Sequence, residues 1–299
     1  MSKKVVSAAV TPLLENGSLD KTGMSNLIER GVRHGIDGMF LFGSMGEWGS
    51  FSPRFKEEAV EYACACNKKR LELMVGITAT SLPLSLELMK SYSKYDLSAY
   101  VYMLNGKTYH RDPVKTVLEV LDAADRPVYF YYAPGASGVP FGLAQFDAIM
   151  AHPNLKGIKN SSSAMVLRRE LLLLKREKQY KTLLFEGQEW SCDEALMIGL
   201  DGIISGMGAL ASGMFRKLAD CVDRGDFPGA TAMQEKLIDL YHGVYGPDLS
   251  TVWVGQKYAL KKLGIFTSEY TVTQDPALLT PPVRERIEKC IAKYASLLE

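Results

Sequence analysis

The chain has 299 residues, in which 35 Lys and Arg nearly cancel 34 Asp and Glu and 47% of residues are hydrophobic. So even a charge balance lacks the basic footprint that neutralises a phosphate backbone, which argues against nucleic acid as a partner. The apolar content is that of an ordinary globular protein with material for a large core, and disorder is not expected.

In chain order, the opening MSKKVVSAAVTPLL imitates a secretion signal, with two lysines ahead of an apolar run. Pro12 interrupts that run and no clear small-residue cleavage site follows, so it reads as a first strand. Strand-like runs then recur: SAAVTPL near 7, GMFLFGS near 38, ELMVGIT near 72, SAYVYML near 98, PVYFYYA near 127, LKGIKN near 155, TLLFEG near 182 and DGIISG near 201. Most are apolar throughout, as expected of strands covered on both faces. Ser52 before Pro53 and Asp112 before Pro113 each set a capping side chain ahead of a proline at the first helical position, and Ser81 is a weaker signal of the same kind. Cys64 and Cys66 lie two apart on a helical stretch and face different directions, which favours small buried hydrophobes over metal ligands. With Cys192, Cys221 and Cys290 they form an odd set without a CxxC pair, a poor disulfide framework that fits a reducing cytoplasm. No run approaches the roughly 18 uninterrupted apolar residues of a membrane helix.

Eight strands alternating with helices predict an α/β fold, the closed (β/α)8 TIM barrel. A doubly wound open sheet is the alternative, but it usually carries a Gly-rich fingerprint after an early strand, and GSMGEWGS is not GxGxxG. After residue 225 the strand pattern stops, so a barrel over 1–225 is expected to carry a helical extension over 226–299. In its last helix Ile287, Ile291, Tyr294 and Leu298 form one apolar stripe, suited to packing on the barrel itself or on a twin subunit.

Functional groups of such barrels stand at the carboxyl ends of the strands. Here these are Thr11, Ser44, Thr78, Tyr131, Lys159, Glu186 with Glu189, and Ser205, and Lys159 is the one nucleophilic amine among them. In LKGIKNSSS (155–163), alternation puts Leu155, Gly157 and Lys159 inside, with Gly157 leaving space for the lysine stem. A lysine at a strand end also satisfies itself by snorkelling to solvent or by pairing with a carboxylate such as Glu186. Tyr131 favours chemistry, because alternation in PVYFYYAP brings its phenol to the top of the neighbouring strand; alone it is ordinary core filling. A free lysine has a pKa of about 10.4, and burial disfavours the charged form and releases the nucleophile. Such an amine attacks a ketone, and the iminium lets a C–C bond break or form without a metal or cofactor, while the phenol moves the proton. Separately, SGMGALASG (205–213) offers a phosphate cradle of the kind found after strands 7 and 8 in many barrels, although loose glycines are common in tight turns.

TPLLENGSLD (11–20), GSMGE (43–47), YYAPGASG (131–138) and GIKNSS (157–162), in this order and spacing, resemble the N-acetylneuraminate lyase and dihydrodipicolinate synthase family of class I aldolases. The resemblance implies a (β/α)8 barrel with C-terminal helices, a homo-oligomer (tetramer or dimer), and pyruvate or another 2-keto acid held as a Schiff base. On that pattern Lys159 is the imine lysine and Tyr131 the proton shuttle. Ser44 and the backbone N–H of Met45 hold the keto-acid carboxylate, a hydroxyl plus amides near a helix start being a sound anion site. Thr11, Ser161, Glu189, Ser205 and Tyr109 complete the substrate-binding set. The chain departs from the pattern in two places. Met45 replaces the second hydroxyl of the usual GTTGE or GSTGE loop, and the tyrosine that a neighbouring subunit lends to the relay aligns near Leu104 or Asn105, leaving Tyr109 or water to substitute.

The synthase branch's arginine falls close to Ala136, which argues against dihydrodipicolinate synthesis. Of the acidic pair that holds sugar hydroxyls in sialic acid lyases, Glu189 matches one acid and Trp190 stands at the other. The expected reaction is cleavage or formation of a 2-keto-3-deoxy sugar acid or related 2-keto acid, with pyruvate as product or co-substrate. It takes a small-molecule substrate in the cytoplasm, with no metal, nucleic-acid or membrane partner. Dehydration through the same imine, and a keto-acid-binding regulatory paralogue without turnover, are the alternatives.

Overall fold

A computed structural model describes residues 2–106 and 112–299. Its strands are β1 (Lys4–Ala8), β2 (Gly38–Leu41), β3 (Glu72–Gly76), β4 (Ala99–Tyr102), β5 (Val128–Tyr132), β6 (Leu155–Asn160), β7 (Leu183–Glu186) and β8 (Gly202–Ser205). Each pairs in parallel with its sequence neighbours, and β8 closes on β1, giving the eight-stranded barrel the sequence predicts. The helices among the described residues are α1 (Lys21–Arg33), α2 (Pro53–Asn67), α3 (Leu82–Tyr92), α4 (Pro113–Ala123), α5 (Pro134–Ser137), α6 (Leu143–Met150), α7 (Met165–Glu177) and α8 (Cys192–Met197). After these come α9 (Gly208–Asp223), α10 (Phe227–Tyr245), α11 (Val252–Lys262), α12 (Pro281–Lys293) and α13 (Ala295–Leu298). The three start signals act as read: Ser52, Ser81 and Asp112 accept the backbone N–H of Phe55, Leu84 and Lys115.

Two apolar layers result from strand alternation. The larger lies between strands and helices, and a smaller one fills the barrel with Val6, Phe40, Met74, Val101, Tyr129 and Phe185 among others. At β6 the alternation slips. Val128 pairs with Leu155 but Tyr129 pairs with Gly157, so Lys156 is the extra residue of a bulge. Leu155 therefore joins the outer layer rather than the barrel interior, correcting the strict alternation, whereas Gly157 and Lys159 keep their inward direction. The last stripe packs on its own chain: Ile287, Ile291, Tyr294 and Leu298 are buried, with α12 against α10 and α13 against α9. No described helix is long and apolar enough to cross a membrane.

One buried charge stands out in the helical layer. Lys56 on α2 is 5% exposed and borders a cavity of about 340 Å³ walled by Trp48, Phe51, Leu84 and Leu88. Its Nζ lies 6.0 Å from the Trp48 ring centre, and it forms no ion pair among the described residues. Burial pushes the amine from 10.5 down to about 8. Between those values the unfolded chain binds more protons than the folded one, so the penalty is complete below pH 8 and fades as pH rises towards 10.5. Lys56→Met should therefore stabilise the protein at pH 7 by about 2–3 kcal/mol. Urea melts should show the advantage shrinking above pH 8.

Candidate active site

β5 and β6 are neighbours in register, with Tyr131 opposite Lys159. Both face the barrel interior at its carboxyl end, and they are 8% and 5% exposed. Lys159 Nζ lies 4.2 Å from the centre of the Tyr131 ring and 5.8 Å from that of Phe40, so the amine rests on aromatic faces. It forms no ion pair among the described residues. Glu186 is not its partner. The Glu186 carboxylate turns out to the helical layer, where Oε2 lies 2.8 Å from Arg168 Nε. Its Oε1 accepts the amides of Gly187 and Gln188 at 3.0 and 2.8 Å. Burial pushes this carboxyl up to about 7, against the pull of Arg168.

The space for the lysine stem also comes from elsewhere. A Cβ at Gly157 would lie 2.6 Å from the Tyr129 ring, so that glycine admits the tyrosine. At Gly187 a Cβ would lie 2.8 Å from Lys159 Cε, and this is the glycine that the stem needs. Sequence reading missed it because Gly187 stands on the adjacent strand's exit.

The third member is Ser44, whose Oγ is 3.4 Å from the Tyr131 hydroxyl. It sits in the turn after β2, where Phe42 and Glu47 both adopt φ +57. Backbone amides of Met45 and Gly46 meet no acceptor among the described residues, which leaves donors for an anion beside Ser44. Thr11 serves this turn by donating its hydroxyl to Gly46 O at 2.8 Å. Thr78 Oγ accepts Met103 N–H at 3.0 Å, joining β3 to β4. Trp253 of α11 donates to Ser44 O at 3.1 Å. Glu47, the last residue of GSMGE, makes a fully buried ion pair with Lys257 of α11 at 2.5 Å.

At the exits of β7 and β8, Glu189 Oε1 accepts Gly206 N at 2.5 Å, Met207 N at 3.2 Å and Ser205 Oγ at 3.2 Å, at the start of α9. The stretch that offered a phosphate cradle as a minor alternative to tight-turn glycines is thus filled by the protein's own carboxylate, an anion at a helix N-terminus. Met45 packs onto Gly206, where a Cβ would come within 2.8 Å of its Cγ. Ser161 spends its hydroxyl on Gly187 O at 3.2 Å. Trp190, 39% exposed, rests on Tyr241 and His242 of α10, with ring centres 4.8 and 5.0 Å away. Ala136 is exposed on α5, Asn105 is half-buried, and Tyr109 lies outside the described residues. The structure therefore gathers Lys159, Tyr131 and Ser44 into one cluster and places Met45, Glu189 and Ser205 on its rim.

Comparison with known proteins agrees with the fold. The family model described as the Dihydrodipicolinate synthetase family matches residues 1–285. A 4-hydroxy-tetrahydrodipicolinate synthase of Hydrogenobaculum sp. is 24% identical over 293 residues, 97% of each chain. An N-acetylneuraminate lyase of Escherichia coli is 24% identical over 245 residues, 79% of this chain and 80% of its own. Among solved structures, dihydrodipicolinate synthase from Bacteroides thetaiotaomicron superposes with a TM-score of 0.87 at 24% identity, covering 97% of this chain and 98% of that one. The sialic acid aldolase of Ruminococcus gnavus gives 0.87 at 18% identity over 99% and 98%. These superpositions carry the barrel alone, whereas the family match runs almost the whole length, and by it the chain belongs to the dihydrodipicolinate synthetase family of aldolase-type lyases.

Proposed function

We propose that the protein is a Schiff-base lyase that cleaves or forms a 2-keto-3-deoxy sugar acid or related 2-keto acid, with pyruvate as product or co-substrate. One observation carries the reading: a buried amine lies against a phenol whose hydroxyl meets Ser44 at the carboxyl end of a closed barrel. Lys159 attacks C2 of the keto acid, and loss of water gives the iminium. In the cleavage direction Tyr131, left as a phenolate once its proton has gone to the hydroxyl lost from C2, takes the proton of the C4 hydroxyl, the C3–C4 bond breaks, and the electron pair of that bond enters the iminium as an enamine. Protonation at C3 and hydrolysis then release pyruvate and restore the amine. Ser44 with the amides of Met45 and Gly46 is suited to the carboxylate. Glu189 Oε2, which makes no bond among the described residues, is suited to accept from a hydroxyl of the chain beyond C4. The absence of an arginine at Ala136 argues against a second substrate anchored there by a carboxylate.

Incubation with pyruvate and borohydride, followed by peptide mapping, tests the imine: a reduced adduct on Lys159 is expected, and a folded sample without one refutes it. Tyr131→Phe should lower pyruvate release from an accepted keto sugar acid by about 10²- to 10³-fold, the range of a lost proton-transfer group. Met45 in place of a hydroxyl favours a second reading, binding without turnover; saturable pyruvate binding with no release across a panel of keto sugar acids would mark it. We also propose a homo-oligomer, tetramer or dimer. Met165, Val166 and Leu173 of α7, all largely exposed, support this, and sedimentation analysis checks it.

A further inference from the structure

The exit of β7 fits the lysine more closely than a spectator turn would. A Cβ at Gly187 would lie 2.1 Å from Ser161 Oγ, 2.8 Å from Lys159 Cε and 3.1 Å from Asn160 O, so the lysine stem runs directly along the backbone of residue 187. That backbone is held from several sides. Gly187 N–H is shared between Asn160 O at 2.9 Å and Glu186 Oε1 at 3.0 Å. Its carbonyl accepts Ser161 Oγ, and Gln188 donates its own N–H to Glu186 Oε1 and its side-chain amide to Ser161 O at 2.9 Å. Behind this, Arg168 and Glu186 form a close ion pair without hydrogen-bond alignment, and Arg168 Nη2 donates to Ser191 Oγ at 2.9 Å.

A lysine carries about 2 kcal/mol of rotamer freedom, and attack on a carbonyl needs the reacting atoms at roughly 3–3.5 Å along a fixed direction. A residue without a side chain, locked by hydrogen bonds, gives the stem both close approach and a rigid wall. Resting on the Schiff-base reading, we propose that Gly187, clamped by the Glu186 carboxylate, is a positioning residue that aims the Lys159 amine at C2 of the bound keto acid. It touches the stem of the nucleophile and acts through it.

The test is the borohydride-trapping rate at saturating pyruvate, read beside the half-saturating pyruvate concentration. Gly187→Ala should slow trapping by about 10²-fold, the usual cost of a misplacement near 1 Å, with half-saturation moving less than about threefold. Glu186→Leu, which removes the acceptor of Gln188 N–H and one of the two acceptors of Gly187 N–H, should slow trapping by about tenfold, whereas Glu186→Gln, which keeps an oxygen there, should stay within about threefold of the parent. A folded Gly187→Ala that traps at the parent rate overturns the proposal, as does equal slowing by the Leu and Gln variants. Should Gly187→Ala not fold, the Glu186 pair decides alone. An unmodified protein that gives no adduct defeats the Schiff-base reading, whereas a normal adduct with unchanged variants defeats only the positioning role.

Discussion

Lys159→Met is expected to abolish the borohydride-trapped adduct and to lower turnover by at least about 10⁴-fold, the scale of losing the nucleophile from a group of residues that act together. The substitution separates chemistry from folding. Methionine nearly matches the lysine stem in length and keeps it against the Tyr131 and Phe40 rings and the backbone of Gly187. Because Lys159 forms no ion pair among the described residues, its removal strands no carboxylate, and the melting temperature should hold or rise. Lys159→Arg is the complementary variant. It retains a cation but gives up the amine, since a guanidinium stays protonated in proteins, so it should be as inactive as the methionine variant. Pyruvate release from a keto sugar acid, mass spectra of the trapped protein and thermal melts of both variants measure the outcome. An adduct that persists on another lysine of the folded Lys159→Met protein would remove Lys159 from its assigned role.

What could be read from residues alone follows from the range of the interactions involved. The barrel is written locally: strands covered on both faces are apolar throughout, and helices announce their starts with Ser52, Ser81 and Asp112, so neither depends on distant contacts. Lys159 and Tyr131 were also within reach, because consecutive strands of such a barrel are neighbours and alternation fixes which side chains point in. One inserted residue was enough to mislead for Leu155. The bulge at Lys156 restores the pairing of Gly157 with Tyr129, and no composition rule marks where it falls. The glycine roles exchanged for a related reason. Gly157 meets the ring of Tyr129 and Gly187 meets the stem of Lys159, distances set by strand stagger rather than by spacing along the chain. Glu186 and Glu189, three residues apart, take opposite directions, one to Arg168 and the other to the amides at the start of α9. Their partners come from different helices, which the order of residues does not rank.

Glu47→Ala should cost about 3–5 kcal/mol, the penalty for leaving one member of a buried ion pair alone. Glu47 and Lys257 are separated by 210 positions in the chain, and neither side chain is exposed. Glu47 Oε2 accepts from Thr271 Oγ1 at 2.6 Å, Thr273 Oγ1 at 2.6 Å and Val272 N at 3.0 Å, and Lys257 donates a second bond to Tyr270 O at 3.0 Å. One carboxylate therefore ties the turn after β2 both to α11 and to the segment that follows it. Without it the Lys257 ammonium, already disfavoured by burial, keeps only the Tyr270 carbonyl, and three donors lose their acceptor. Glu47→Gln separates the contributions: it preserves shape and the left-handed backbone at φ +57 and removes the charge, so its loss should be smaller than that of alanine. Lys257→Met alone leaves the carboxylate with its three other donors, and joined to Glu47→Gln it should recover part of the loss, with a coupling of about 0.5–3 kcal/mol in the cycle. Urea denaturation measures each variant. The same turn carries Ser44 and the amides of Met45 and Gly46, and Trp253 of α11 donates to Ser44 O, so loosening the tie should reach the proposed carboxylate site. The half-saturating pyruvate concentration should therefore rise in Glu47→Gln more than the trapping rate at saturation falls. A variant that loses stability with unchanged pyruvate binding would confine the buried pair to folding and detach the C-terminal helices from the chemistry.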